Sequence, residues 1–203
     1  TEFVESYLNE EDNLLFEDKT GHIFKAIGFD VVMRPKPASN ENTEIEILLK
    51  YGEHFCGIID AKNYKKKFPL TAQLASHMAS EYIPNYNGYE NRAISFFGYV
   101  TASKFSGEKN LQKISDRAKF AMSDRKIHGI MLQAKVLLGF LDYCIENGIP
   151  KEKRIELFLS AINNTAYSSF QQLHKNILNW FNYIRFLWYF LGGRKIWIIG
   201  ISH

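Results

Sequence analysis

The residues best placed for chemistry lie at the end of one strand-like run. Residues 57–62 read Gly-Ile-Ile-Asp-Ala-Lys, so an apolar strand ends by presenting Asp60 and Lys62. Because side chains alternate between the two faces of a strand, both polar groups lie on one face. The preceding run, Thr43 to Tyr51, is also strand-like, and Gly52 to His54 suits the loop of a hairpin.

This hairpin predicts that two further acids join the pair. If residues 52–54 form the loop, the register places Glu44 opposite Lys62 and Glu46 opposite Asp60. All four side chains then share one face of the sheet. A slip of one residue would move the glutamates to the other face.

The chemistry that such a group supports is hydrolysis assisted by a cation. Two converging carboxylates can hold a hard divalent cation such as Mg²⁺. The cation would polarise a phosphodiester and lower the pKa of an attacking water, while Lys62 would supply positive charge to the water or to the pentacovalent phosphate. The alternative interpretation is a salt bridge at a strand end, because Asp-x-Lys alone is a common pattern.

Basic residues follow the same strand. Lys65, Lys66 and Lys67 come directly after it, and Lys104 follows the run of residues 93–101. Their position near Lys62 favours contact with phosphate groups. A charge run is also typical of a solvated surface, and that interpretation stays open.

Composition limits the class of protein. The chain has 203 residues, of which 46% are hydrophobic and 23% charged, which excludes a wholly disordered, collagen-like or disulfide-framework protein. Its formal net charge of +3 is too small to argue for a nucleic-acid partner by itself. Cys56 and Cys144 fit no metal-ligand spacing and are predicted to be reduced and buried, consistent with the cytosol.

Strands alternate with helices after the hairpin, and this order predicts a mixed α/β fold. The predicted strands are Phe29 to Met33, Thr43 to Tyr51, Phe55 to Lys62, Ala93 to Thr101 and Ile127 to Leu132. The predicted helices are one from Asp12 or Asn13 to Gly28, one from Thr71 to near Pro84, Glu108 to Met122, Ala134 to Glu146 and Lys151 to Ile162.

Residues 167–203 differ from the rest, since they hold ten of the thirty aromatic residues and no Asp or Glu. Ile177 to Leu191 is mostly apolar but shorter than the roughly 20 residues that a membrane span needs. It is predicted as a buried or interface helix, followed by a strand from Ile196 to Ile201. A membrane anchor, or a tail outside the evolved domain, is the alternative. The predicted division is therefore a domain of residues 1–166 and a tail of residues 167–203.

The two hairpin strands and four further segments together resemble a known family, and they occur in that family's order along the chain. They are residues 16–29, 44–47, 57–64, 70–73, 97–111 and 127–132. Over about residues 14–138 the sequence resembles the PD-(D/E)xK nuclease superfamily, and most closely the cleavage domain of FokI-type (type IIS) restriction endonucleases. Two positions depart from that family's pattern, because Thr43 replaces its Pro and Glu44 replaces its usual Asp.

The resemblance implies a restriction-endonuclease-like core, in which a central mixed β-sheet is flanked by α-helices. It implies a Mg²⁺-dependent enzyme of restriction–modification that cuts double-stranded DNA, leaving 5′-phosphate and 3′-hydroxyl ends. The implied partners are DNA, a DNA-recognition domain elsewhere in the full-length chain, and a transient homodimer or partner nuclease subunit. A prokaryotic cytoplasm and no membrane are expected. A PD-(D/E)xK nuclease for junction resolution or repair, and a non-catalytic interaction module, are the alternatives.

The resemblance also assigns roles to particular residues. Its metal ligands are Glu44, Asp60 and the carbonyl of Ala61, with Glu46 as the alternate to Glu44. Lys62 acts on the nucleophile. Glu17 and Gln73 are candidates for the edge of the site.

Overall fold

The computed structural model describes residues 2–37, 43–123 and 125–179. Its strands are Asp30–Met33 (β1), Ile47–Tyr51 (β2), Phe55–Lys62 (β3), Lys67–Pro69 (β4), Ala93–Thr101 (β5), Lys104–Ser106 (β6), His128–Gln133 (β7) and Thr165–Tyr167 (β8). Its α-helices are Glu2–Leu8 (α1), Asn13–Ile27 (α2), Ala72–His77 (α3), Ile83–Tyr86 (α4), Asn110–Ala121 (α5), Ala134–Glu146 (α6) and Lys151–Ser160 (α7). Residues 170–179 are also helical.

Six of the strands form one mixed sheet in the order β1-β2-β3-β5-β7-β8. The pairs among β1, β2 and β3 are antiparallel, whereas β3, β5, β7 and β8 run parallel to their neighbours. Helices α2, α6 and α7 cover one face, and α3 and α5 cover the other. The predicted mixed α/β fold is confirmed. A short parallel pair, β4 with β6, lies outside this sheet.

The hairpin has the predicted loop and pairing, but its first strand is shorter. β2 begins at Ile47 rather than at Thr43, and its pairing with β3 follows the predicted register. The strand begins late because the N–H of Ile45 donates to the hydroxyl of Tyr86 at 3.0 Å. A side chain therefore holds this part of the backbone in place of the strand ladder.

Several other elements follow the sequence closely. β3, β5 and α6 have the predicted bounds, and α2 begins after Asp12, whose side chain accepts the N–H of Leu15 at 2.9 Å. Gly28 ends α2 with φ of 134°, a conformation that glycine adopts without strain. Cys56 and Cys144 are buried and free, as predicted.

The helix predicted from Thr71 to near Pro84 is interrupted. A single π-helical turn, Met78–Tyr82, separates α3 from α4. Pro84 has no N–H to donate to the preceding turn, which favours such an irregularity. Short elements such as α1, β4, β6 and β8 are not predicted, because three to seven residues carry too little periodicity.

The beginning of the predicted tail packs with the main core. Tyr167 ends β8, and the side chains of Tyr167, Leu173 and Ile177 are buried in the same core as α6. The predicted division after residue 166 thus falls inside a strand of the sheet. Residues 180–203 lie outside the described residues, and they include most of the predicted tail helix and all of the predicted tail strand. The division therefore stays a prediction. Among the described helices, none has the length and apolarity needed to cross a bilayer.

Tyr86 holds the segment that leads into β2. Its buried hydroxyl lies 2.5 Å from the carbonyl oxygen of Pro35 and 3.1 Å from that of Thr43, besides accepting the N–H of Ile45. We expect Tyr86→Phe to lower the free energy of unfolding by about 1–3 kcal/mol, since buried backbone groups would lose their partner. Urea denaturation would measure this against Tyr89→Phe, at a half-buried ring that contacts Tyr86. Equal losses in the two variants would contradict the assigned role.

Candidate active site

The end of β3 brings an acid and a lysine together as the alternation of the strand predicts. Lys62 Nζ contacts Asp60 Oδ1 and lies 3.2 Å from Glu46 Oε1. Glu46 directly precedes β2, so continuing the hairpin register places it opposite Asp60. The side chains of Asp60, Glu46 and Lys62 are 4%, 18% and 21% exposed, respectively. Two carboxylates and one ammonium group therefore share a largely buried position.

This cluster carries one more negative than positive charge only when both of its carboxylates are ionised, and burial opposes that state. Burial, followed by the neighbouring charge of Asp60, raises the pKa of Glu46 to about 8. Burial alone would lower the pKa of Lys62, but the charges of Asp60 and Glu46 outweigh it and raise the pKa. Lys62 is consequently held as a cation and cannot serve as a proton acceptor near neutral pH.

The structure separates the two glutamates that the sequence offered as alternates. Glu46 contacts Lys62, whereas the side chain of Glu44 is exposed. The predicted placement of Glu44 opposite Lys62 requires β2 to extend back to residue 44, but the strand begins at Ile47. Glu46 is therefore the glutamate that the fold brings to Asp60.

An open cavity of about 300 Å³ adjoins the cluster. Its lining residues are Asn13, Glu17, Glu46, Ala61, Lys62, Asn63 and Tyr64. Glu17, from the first half of α2, thus lies at the edge of this cavity. Burial raises the pKa of Glu17, while the positive charges of Arg34 and Lys62 oppose that change. Gln73 is exposed in the first turn of α3 and does not line this cavity.

The donors present fit a hard divalent cation. Glu46 Oε2 is buried and has no hydrogen-bond partner among the residues that the structure describes. A divalent ion would favour the ionised forms of Asp60 and Glu46 together, and Ala61, the residue between Asp60 and Lys62, also lines the cavity. In the described ranges no group of three or more His, Cys, Asp or Glu side chains is arranged for a metal, so water would complete such a shell.

The predicted phosphate-contacting lysines follow β3 and β5 along the chain. Lys65, Lys66, Lys67 and Lys104 are all exposed. The parallel pairing of β4 with β6 sets Lys67 directly beside Lys104, although they are far apart in sequence. Lys65 also lies 3.4 Å from Glu11, and both of these side chains are well exposed.

Two residues near the site were not found from the sequence. Arg34 follows β1 and lies 3.2 Å from the carboxylate of Glu17, but no spacing in the chain links these positions. Tyr82 is half-buried at the end of the π-helical turn, and burial followed by the charges of Asp60 and Glu46 raises its pKa to about 12. A π turn alters the direction of the side chains that follow it, and helical periodicity in a sequence does not reveal one.

Comparison with known proteins places this chain in a known class. The family model for the FokI cleavage domain matches residues 1–164. The chain therefore belongs to the FokI cleavage-domain family, a class of type IIS nuclease-like domains. A comparison with curated proteins gives no match.

Two solved structures share the fold. The structure of restriction endonuclease FokI is similar with a TM-score of 0.57 and 18% identity over 81% of this chain and 30% of that one. The structure of FokI bound to DNA is similar with a TM-score of 0.54 and 20% identity over 81% of this chain and 29% of that one. The chain therefore corresponds to less than a third of the length of FokI. The predicted resemblance and the predicted central mixed sheet flanked by helices are both confirmed.

Proposed function

We propose that this chain is the cleavage domain of a Mg²⁺-dependent DNA endonuclease of the type IIS kind. It hydrolyses phosphodiester bonds to leave 5′-phosphate and 3′-hydroxyl ends. The observation that carries the proposal is the buried cluster of Glu46, Asp60 and Lys62 beside an open cavity, in a member of this family.

The proposed metal ligands are Asp60, Glu46 and the carbonyl oxygen of Ala61. Glu46 takes the place of Glu44 because it is the glutamate in contact with Lys62 and has an unpartnered, buried oxygen. Bound Mg²⁺ would polarise the phosphodiester and lower the pKa of the attacking water. Its positive charge would also reduce the repulsion between the carboxylates of Asp60 and Glu46.

The residues of the chain supply the remaining chemistry. Lys62 stays protonated, so it acts through charge and hydrogen bonds rather than as a base. Its ammonium group has three donors, of which one is directed at Glu46 and the ion pair with Asp60 can engage another, so one is left for a phosphate oxygen or the attacking water. Glu17 lies at the rim, where it can accept a hydrogen bond from that water. Gln73 is proposed only to contact substrate, because it lies outside the cavity.

Cation binding should depend on pH because Glu46 must lose its proton to act as a ligand. With the pKa of Glu46 raised to about 8, the protonated form dominates at pH 6.5 and competes with the metal. We expect Mg²⁺ affinity to rise about tenfold per pH unit below that pKa and to level off above it. Calorimetric titration at pH 6.5 and 8.5 would measure the change. In Glu46→Gln the pH dependence should disappear, and a wild type with equal affinity at both pH values would refute this role.

The four exposed lysines Lys65, Lys66, Lys67 and Lys104 are proposed to contact DNA phosphates. Each phosphate contact adds about 0.9 to the slope of log affinity against log salt concentration. Replacing all four by Gln should therefore weaken DNA binding at low salt and flatten this slope, without a preference for any sequence. Fluorescence anisotropy would measure both effects. The control is Lys25→Gln, at the exposed far end of α2, and an equal effect there would contradict the assignment.

The proposed partners follow from the family and from the length of the matched proteins. One solved structure of FokI is bound to DNA, and this chain corresponds to about 30% of the FokI chain. We propose that a DNA-recognition domain belongs to the same full-length protein, that cleavage uses a transient homodimer or a partner nuclease subunit, and that the protein acts in a prokaryotic cytoplasm.

Conversion of supercoiled plasmid to nicked and linear forms tests this function. The chain should be assayed at high concentration with Mg²⁺ and with EDTA, alone and fused to a DNA-binding domain of known target. We expect cleavage that EDTA abolishes, and a share of linear product that grows with protein concentration if two copies cooperate. No cleavage by the fusion protein would refute the nuclease function.

A further inference from the structure

The inference concerns Arg34, the residue that follows β1, and it rests on the proposed metal site. Arg34 has φ of 46°, in the left-handed region that non-glycine residues seldom adopt. Its N–H donates to the carbonyl oxygen of Glu46 at 2.8 Å, which continues the β1–β2 pairing one step beyond Met33 and Ile47. Arg34 thus has a left-handed backbone conformation at the point where its N–H is hydrogen-bonded to the main chain of Glu46.

The side chain of Arg34 contacts a different element, the helix α2. Its guanidinium donates to Asp18 Oδ1 at 2.9 and 2.8 Å and to the carbonyl oxygen of Leu14 at 3.2 Å. Its Nε lies 3.2 Å from Glu17 Oε2. A planar guanidinium with several fixed donors is suited to holding such a set, which a lysine cannot reproduce.

These contacts make Arg34 a bridge between α2 and the segment before β2, which both line the cavity. Glu17 comes from α2 and Glu46 from the segment before β2, and both face the same 300 Å³ space. Arg34 contacts the carboxylate of one and the main chain of the other. Its positive charge also favours the ionised form of Glu17.

We propose that Arg34 is a positioning residue for the cation site. It holds the carboxylate of Glu17 at the rim and fixes the main chain of Glu46, so that Glu46 and Asp60 converge before a cation arrives. Residues that orient metal ligands in this way typically change metal affinity by about 10–100-fold when removed.

Binding of Mn²⁺, followed by the electron paramagnetic resonance signal of the free ion, tests this without any cleavage step. Arg34→Gly is the main variant, because glycine keeps the backbone conformation and the N–H while losing the guanidinium. We expect its Mn²⁺ dissociation constant to rise at least tenfold. Arg34→Lys keeps the charge but cannot span the same partners, so its loss should be intermediate.

The matched control is Lys50→Gln, which removes ion pairs of 2.9 Å to Asp30 and 3.2 Å to Glu90 at the other end of β2. Its Mn²⁺ affinity should stay within twofold of wild type. Affinity within twofold of wild type in Arg34→Gly, or an equal loss in Lys50→Gln, would overturn the inference. If Arg34→Gly fails to fold, unchanged affinity in Arg34→Lys overturns it.

Asp60→Asn in the same titration separates this inference from the proposed function. Loss of Mn²⁺ binding in Asp60→Asn together with normal binding in Arg34→Gly would reject only the role of Arg34. Wild-type binding in Asp60→Asn would reject the metal site itself, and the role of Arg34 with it.

Discussion

Replacing Asp60 with Asn should lower the single-turnover cleavage rate about a thousandfold or more. Asp60 is the most buried of the site carboxylates and contacts Lys62. Asparagine keeps its shape but loses the charge that would hold Mg²⁺. Lewis-acid stabilisation by a metal contributes several kcal/mol to a transition state, and each 1.36 kcal/mol corresponds to a tenfold change in rate. The rate would be measured with a fluorescent duplex and excess fusion protein.

The fold should tolerate this substitution. Lys62 keeps Glu46 as a partner, and the like charge that helps to raise the pKa of Glu46 is removed. The melting temperature therefore distinguishes a lost site from a lost fold. Asp116→Asn is the control, at an exposed carboxylate on α5. A rate within tenfold of wild type in Asp60→Asn would exclude this carboxylate from the reaction.

The second large effect separates the two neighbouring glutamates. Glu46→Gln should lower the cleavage rate at least about a hundredfold, since several kcal/mol of metal stabilisation depend on its charge. Glu44→Gln should stay within about twofold, because surface substitutions away from a site change little. The two residues are two positions apart and undergo the same chemical change, so each is the control for the other. Rates compared over a range of Mg²⁺ concentrations would show whether Glu46→Gln weakens metal binding.

The opposite order of effects would contradict the site described above. A large loss in Glu44→Gln with a normal rate in Glu46→Gln would mean that the segment before β2 rearranges when DNA or metal binds. An equal loss in both variants would point to a general effect of charge at this edge of the sheet.

The sequence was sufficient to place Asp60, Lys62 and Glu46 together because the information for that placement is local. Asp60 and Lys62 share a face through the alternation of one strand, and the register that brings Glu46 opposite Asp60 follows from a three-residue loop. The mixed α/β fold could be predicted for a similar reason. Its longer helices and strands carry clear periodicity, and the glycine that ends α2 marks its boundary.

The choice between Glu44 and Glu46 could not be made from the sequence. It depends on where β2 begins, and that point depends on the hydroxyl of Tyr86, whose partners Pro35 and Ile45 are more than forty residues away. The contact of Arg34 with Glu17 likewise depends on a left-handed backbone conformation after β1. Neither feature has a periodic pattern, because both are made by tertiary contacts between irregular segments.

Product analysis of a labelled duplex tests the central claim most directly. The fusion protein with a known DNA-binding domain would be incubated with a duplex containing its target, in Mg²⁺ or in EDTA, with Asp60→Asn alongside. We predict cuts near the target only with Mg²⁺ and only in the wild type, with 5′-phosphate and 3′-hydroxyl ends that a DNA ligase rejoins. An uncut duplex, or cleavage that persists in EDTA and in Asp60→Asn, would contradict the assignment of a metal-dependent nuclease site to Glu46, Asp60 and Lys62.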